Sequence, residues 1–528
     1  MISGLKKTSV FGLLVVSLAL ILPISIIYFG RIQFGGYDGS ILINHAWQFH
    51  LNYEPYVDIV TGWPPILLIG AFWAFEWWGV RWLSLVYIAA AFSLVTFILH
   101  VILLKKNGFN PFLALVVAFT VQSVTMVVIS WWWYNNITAV VGVLFVSASL
   151  FLIKRQRHSL FGDLSFVVTV TLLMLSKPNI TLALMIPSVI ILIVSSQARY
   201  RIVVLSLASF ALVVSILLLS DIYPGNLLLS YSNYAGRSLS IIRILRFLYL
   251  NSYEESIQTF AALIPGLAAL LIVFSPSLTN RFKDAHNFYP ATRTEIYSII
   301  LGVLSMLVGL WGMMTNNEYN MTDGAFIFLG IVIIVEELKD KLPIRQTRVA
   351  STLVLLCALL LSLNAYRYAL LRYRVMGVGV GAFYEDAPLT RVTDPALFDG
   401  MFVAPRMIRT LLEMKQLLQS GDFLGRSDAS VFFGPRIDFG YAAYNIKPYP
   451  GLPTWWEFFN QDGIGETDIM VSRFKNANFQ LCIFLRDDYT YLPNDLLSYL
   501  HNNYKMYELE DLTIYVRNGF SIEYDFEK

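Results

Sequence analysis

The stretch IVVLSLASFALVVSILLLS, residues 202–220, holds nineteen residues and no charge. About 20 such residues cross the hydrocarbon core of a bilayer as an α-helix. Working outward, comparable apolar stretches lie at 9–29, 82–104, 111–130, 137–153, 162–176, 180–196, 257–274, 296–314, 324–338 and 349–365, about eleven spans in all. The composition agrees. Of 528 residues, 56% are hydrophobic and 14% charged, against about 25% charged in a soluble globular chain. So few charges do not coat a water-facing surface, which excludes a cytosolic enzyme, a disordered chain and a nucleic-acid-binding protein. The net charge of +2, from 38 basic and 36 acidic residues, implies no polyanionic partner. Two cysteines rule out a disulfide scaffold, and no Cys/His spacing suits a metal.

Basic residues orient the spans. Lys6 and Lys7 precede the first one, and the loops on their side hold 16 basic residues, Lys105, Lys154, Arg201 and Lys341 among them. The opposite loops of the membrane part hold six: Arg31, Arg81, Lys177, Arg237, Arg243 and Arg246. This is the positive-inside pattern, and it places the N-terminus in the cytoplasm. Pro64 to Trp78 is apolar but only fifteen residues long. If it crossed, the later loops would invert their charge bias, so it is expected to be a re-entrant or interfacial segment on the outer face. An odd number of spans then puts the C-terminus outside. No cleavage site follows the first span, which suits an uncleaved signal anchor.

Beyond Tyr366 the composition changes to 16 basic and 21 acidic residues with no span-length apolar run. Asp428–Gly434, Gln480–Leu485 and Leu512–Val516 read as strands and Asp495–Asn503 as a helix. Strands alternating with helices predict a small α/β domain. The expected organisation is a polytopic α-helical membrane module over 1–365, with a first outer loop over 30–80, and an exoplasmic α/β domain over 366–528.

The first outer loop carries the chemistry. Gly35-Gly36-Tyr37-Asp38-Gly39-Ser40 leads into a helical run, Ile41–Leu51; Glu54-Pro55-Tyr56-Val57-Asp58 and Thr61-Gly62-Trp63-Pro64-Pro65 follow. A carboxylate at the mouth of a membrane cavity can take a proton from an acceptor hydroxyl, and partial desolvation would raise its basicity. Asp38 is the first candidate for that role and Asp58 the second. The alternative is that both merely solvate an outer loop, an aspartate among glycines being an ordinary turn.

In order along the chain, Asp38, Asn52-Tyr53-Glu54-Pro55-Tyr56-Val57-Asp58, Pro64-Pro65 and Gly79-Val80-Arg81 resemble the GT-C glycosyltransferases, in particular the protein O-mannosyltransferase and aminoarabinose-transferase-like branch. The resemblance covers the first 110 residues best. The family often has Asp-Glu where this chain has Asp38-Gly39. It implies a polyprenyl-phosphate-linked sugar donor, a glycan, lipid or protein acceptor, and inverting transfer at the outer face of a prokaryotic plasma membrane, with Asp38 as general base.

Such a reaction needs positive charge where the phosphate departs. Lys177, between two spans, offers it, or snorkels to lipid headgroups. Arg237, Arg243 and Arg246 form either a phosphate clamp or an interfacial amphipathic segment. The outer loop Thr315–Asn320 places Asn317 and Glu318 where related enzymes contact the donor; an ordinary capping turn is the alternative. Trp455 and Trp456 either stack on an acceptor sugar or fill the C-terminal core. Trp131-Trp132-Trp133 reads mainly as an interfacial belt. No resident cofactor is expected; a divalent metal on Asp38, Asp58 and Glu318 is the lesser option. The rival functions are a transporter or flippase of lipid-linked glycans and a non-catalytic membrane assembly subunit. No internal repeat of the transporter kind is visible.

Overall fold

The computed structural model describes residues 2–34, 36–155, 158–195, 199–234, 254–280, 292–315, 320–375, 383, 387–424, 430–453, 467–486 and 492–526. Its helices are α1 (Ile2–Gly30), α2 (Gly36–His50), α3 (Pro65–Trp78), α4 (Trp82–Lys106), α5 (Pro111–Gln122), α6 (Tyr134–Lys154), α7 (Leu160–Met174), α8 (Pro178–Ser195), α9 (Arg199–Leu219) and α10 (Pro224–Tyr234). After these come α11 (Glu254–Asn280), α12 (Arg293–Thr315), α13 (Asn320–Leu338), α14 (Ile344–Val375), α15 (Pro405–Ser420), α16 (Thr467–Ala477) and α17 (Asn494–Asn503).

Each expected span forms a helix, but among the described residues eight are long and apolar enough to cross a membrane, not about eleven. Pro111–Val127 and Leu160–Met174 are shorter, and α13 carries Asp323, Glu336 and Glu337 in nineteen residues. Local chemistry sets several helix starts. Asn110 accepts the N–H of Phe112 ahead of Pro111, and Ser159 accepts that of Gly162. Thr292 and Glu295 exchange hydrogen bonds as a capping box at the head of α12. The expected re-entrant segment is α3, whose 14 residues reach about 21 Å, short of the roughly 30 Å hydrocarbon core. Trp73, Trp77 and Trp78 on it are exposed.

The chain divides into two compact units. The first comprises Met1–Phe29, Ala89–Ser215 and Leu239–Leu370. Within it α6 is buried along its membrane length, whereas α9 exposes Val203, Val204, Leu207 and Phe210. Helices α12 and α13 pack on glycine. A Cβ on Gly330 would strike the backbone oxygen of Gly302, and one on Gly312 would lie 2.5 Å from the Asp323 carboxylate. Lipid offers no hydrophobic drive for helix association, so close backbone approach through small residues holds such pairs. The tryptophans expected at an interface are instead buried here. A π-helical turn over Ser123–Val127 folds them inward, with Trp131 and Trp133 at 4.7 Å and Phe92 against Trp132 at 5.3 Å. Asn136, itself buried, braces the turn by donating to the Ile129 and Trp131 carbonyls. Cys357, on α14, is buried with a free thiol.

The second unit comprises Gly30–Ile88, Ile216–Ser238 and Leu371–Lys528. Strands β1 (Thr390–Arg391) and β2 (Phe402–Val403) pair antiparallel. A four-stranded sheet runs in the order β3 (Val431–Phe433), β4 (Leu481–Leu485), β6 (Leu512–Arg517), β5 (Tyr504–Glu508). Only β3 and β4 are parallel, joined through a stretch that contains α16. Three of these strands and α17 stand where the sequence predicts them; β5, with Lys505 and Glu508 on an exposed edge, has no apolar run to announce it. Phe432, Phe474, Phe484, Leu496 and Tyr515 fill the core. The buried Cys482 thiol, on β4, is also free, and burial pushes its pKa far up.

The glycine contact yields a stability test. Gly330→Leu should destabilise the helical unit by more than about 3 kcal/mol, since neither backbone can retreat without parting the pair. Thermal unfolding in detergent measures this, and Gly225→Ala, where an added Cβ meets nothing within 4 Å, is the control.

Candidate functional site

Helix α2 begins at Gly36, five residues before the expected start at Ile41, and so takes Asp38 into its first turn. The carboxylate is half-buried there, where the positive pole of the helix favours a negative charge. The next residue must be small, because a Cβ on Gly39 would lie 3.1 Å from the Trp82 ring and 3.2 Å from Phe34. Trp82 is fixed in turn by donating to the Gly30 carbonyl at 2.9 Å. From Ile41 to Phe49 every residue of α2 is buried.

The polar positions of this buried helix follow a four-residue spacing: Ser40, Asn44 and Gln48. Ser40 donates a short hydrogen bond to Asp438 Oδ1 and accepts the N–H of Phe439 at 2.9 Å. Asn44 Nδ2 donates to Asp438 Oδ2 at 3.4 Å, and its own Oδ1 accepts Gln48 Nε2 at 3.0 Å. Trp47 Nε1 donates to the Ile446 carbonyl at 3.0 Å. Burial pushes the Asp438 carboxyl up to about 7, even though Ser40 and Asn44 pull it down. Asn44, Gln48, Asp438 and Tyr441 line a cleft of about 20 Å³, room for a single water and not for a sugar. This acid therefore ties α2 in place. His45, stacked edge-on to Trp63 at 5.0 Å, is pulled down by burial to about 3, so it stays neutral.

The loop that follows is a closed device. Asn52 and Tyr56 sit in the left-handed region, at φ +64° and +66°. For an aromatic residue that conformation costs about 1–3 kcal/mol and persists only where surroundings enforce it. The enforcement is visible. Asp58 Oδ2 accepts the Glu54 N–H at 3.0 Å, and the Tyr56 hydroxyl donates to the Trp63 carbonyl at 2.8 Å. Helix α10 braces the loop from its other side. Asn226 donates to Glu54 Oε1 at 3.1 Å, and Ser230 donates to the Thr61 carbonyl at 2.5 Å. Burial raises the hydroxyls of Tyr56 and Tyr231, and the pair adds to the shift of Tyr56. Tyr53 is pushed up to about 12 by burial and by the Asp58 charge. The C-terminal segment closes the arrangement, with Tyr53 donating to the Pro448 carbonyl at 2.7 Å and the Gly451 N–H to the Asp58 carbonyl at 2.7 Å.

Asp38 and Asp58 thus share the second unit. Lys177 belongs to the first, between α7 and α8, half-buried. Its ammonium donates to Asn135 Oδ1 at 3.3 Å and sits 5.5 Å from the centre of the Tyr134 ring. Arg237, Arg243, Arg246, Asn317, Glu318, Trp455 and Trp456 lie outside the described residues. Among the described residues no group of three His, Cys, Asp or Glu side chains is placed to hold a metal. Among the described residues three buried acids escaped the sequence as site candidates: Asp438, Asp511, and Asp323 in the first turn of α13. For Asp323 there was a signal, a carboxylate at the edge of an apolar stretch.

No protein-family model and no curated protein matches the chain. Among solved structures it is similar to ArnT from Cupriavidus metallidurans bound to undecaprenyl phosphate. The identity is 13%, over 96% of this chain and 97% of that one, with a TM-score of 0.44. The apo state of the same protein matches at 13% identity over 96% and 98%, with a TM-score of 0.42.

The Asp438 tie gives a pH test. An unfolded carboxyl releases its proton near the ordinary 3.8, the folded one near 7. Between those values the folded state holds a proton that the unfolded chain has lost, so stability falls as pH rises through the window. The swing is at most about 4 kcal/mol. Thermal unfolding from pH 5 to 8 should show a falling Tm for the natural protein and a flatter profile for Asp438→Asn.

Proposed function

We propose that this protein is a membrane glycosyltransferase, moving a sugar from a polyprenyl-phosphate carrier to an acceptor hydroxyl at the outer membrane face. The observation that carries the proposal is Asp38: a half-buried carboxylate in the first turn of α2, eight residues after a membrane-length helix ends at Gly30. A base for a lipid-borne substrate must stand at that edge of the hydrocarbon, on a rigid element. Supporting it are the order of the first-loop motifs and the bracing of the loop that bears Asp58.

In the reaction the acceptor oxygen attacks the anomeric carbon while Asp38 takes its proton. The bond from that carbon to the phosphate oxygen breaks, its electron pair leaves with the polyprenyl phosphate, and the configuration inverts. Lys177, with Arg237, Arg243 and Arg246, balances the charge on the departing phosphate. Asn317 and Glu318 contact the donor sugar, and Trp455 and Trp456 read the acceptor from the C-terminal domain. Asp58 is the second acid of the site and orders the loop. The chemistry asks for no metal.

Incubating purified protein with a panel of polyprenyl-phosphate sugars should yield a new glycosidic bond. Transport of label across vesicles without such a bond would point to a flippase instead. Asp38→Asn should lower kcat by about 10²–10⁴ with unfolding temperature and membrane insertion unchanged; full activity would remove Asp38 as the base. Lys177→Met should lower transfer by about 10²–10³, measured with saturating acceptor.

A further inference from the structure

Helices α5, α13 and α14 leave between them a cavity of about 300 Å³, within the range of ligand sites. Its walls are apolar: Phe112, Val332, Val335 and Leu355. Phe112 and Leu355 open towards the outside of the helical unit, while Val332 and Val335 are fully covered. Walls of this kind, on helices of a membrane chain, suit a hydrocarbon tail. One end is different. There Asn110, Glu336 and Lys339, all at helix ends, line the same space, with Ser351 two turns along α14.

The acid at that end needs a reason. Glu336 lies in the last turn of α13, where the negative pole of the helix disfavours a carboxylate, and its side chain is only 9% exposed. Lys339 meets it at 2.6 Å. Of the neighbouring acids, Glu337 meets Lys154 at 2.5 Å and Glu295 meets Lys341 at 2.8 Å, while Arg345 and Arg348 are exposed. A head group carrying both signs could exchange the single Glu336–Lys339 contact for two and add no net charge. An anionic head without an ammonium would draw Lys339 away and leave the covered Glu336 carboxylate without its partner.

We propose that the cavity is a phospholipid site that takes an acyl chain along its walls and a phosphoethanolamine head at its polar end, the phosphate on Lys339 and the primary ammonium on Glu336. A primary ammonium donates three hydrogen bonds where choline donates none, so phosphatidylethanolamine is selected over phosphatidylcholine as well as over phosphatidylglycerol. The site is separate from the transferase chemistry and stands without it.

The test uses the full-length protein in nanodiscs holding equal parts of phosphatidylethanolamine, phosphatidylcholine and phosphatidylglycerol, followed by native mass spectrometry of the released complex. Because the ammonium adds hydrogen bonds to a charged partner, the ethanolamine lipid should be retained about tenfold or more over the others. Glu336→Gln should erase that preference. Ser351→Trp, which fills the cavity, should abolish specific retention; Leu355→Trp, on the exposed rim, serves if the first variant does not fold. Retention in bulk proportions, a preference for phosphatidylglycerol guided by the exposed Arg345 and Arg348, or unchanged retention in the filled variants would each overturn the proposal.

Discussion

One buried carboxyl fixes the part of the protein that precedes the membrane helices' main run. Asp438 receives Ser40 and Asn44 from α2, and Ser40 in turn receives the backbone of Phe439. A carboxyl in such surroundings is costly unless its oxygens are occupied. Both are, and by the same helix that carries Asp38 two residues before Ser40. The first loop is therefore not a free strap. It belongs to the same compact unit as the C-terminal sheet, joined to the C-terminal segment also through Trp47, Tyr53 and the backbone of Asp58.

Under the function proposed above, this placement bears on catalysis. A base on a mobile loop would spend substrate binding energy on being positioned; a base on a buried helix is positioned beforehand. The strained backbone at Tyr56 belongs to the same economy. Its conformation is held by a hydroxyl contact to Trp63 and a carboxylate staple from Asp58. The staple gives Asp58 a definite structural task beside any chemical one.

Much of the fold was legible in the sequence because membrane helices announce themselves by length and apolarity alone. Residues 202–220 need no tertiary context to be recognised. Strands β3, β4 and β6 were equally plain, being short apolar runs buried on both faces. The failures have physical causes. The early start of α2 was hidden by Gly35-Gly36, which reads as a turn, whereas the favourable placement of Asp38 at the helix pole carries the helix back to Gly36. The tryptophans 131–133 look like an interfacial belt in sequence, and only the π-helical turn before them shows that they face inward. Asp438 gave no sign at all. Its partners lie some four hundred residues away, and nothing local in Ile437-Asp438-Phe439 marks a buried acid.

Both thiols of this chain are sealed in the interior, Cys357 in a helix and Cys482 in the centre of a sheet. Maleimides and other water-borne alkylating reagents attack the thiolate, so the natural protein offers them almost no background. Single cysteines can consequently be introduced loop by loop without first stripping the native pair, and sidedness mapped by labelling intact vesicles. The core packing of the sheet thus supplies a ready tool for fixing the orientation of the helices.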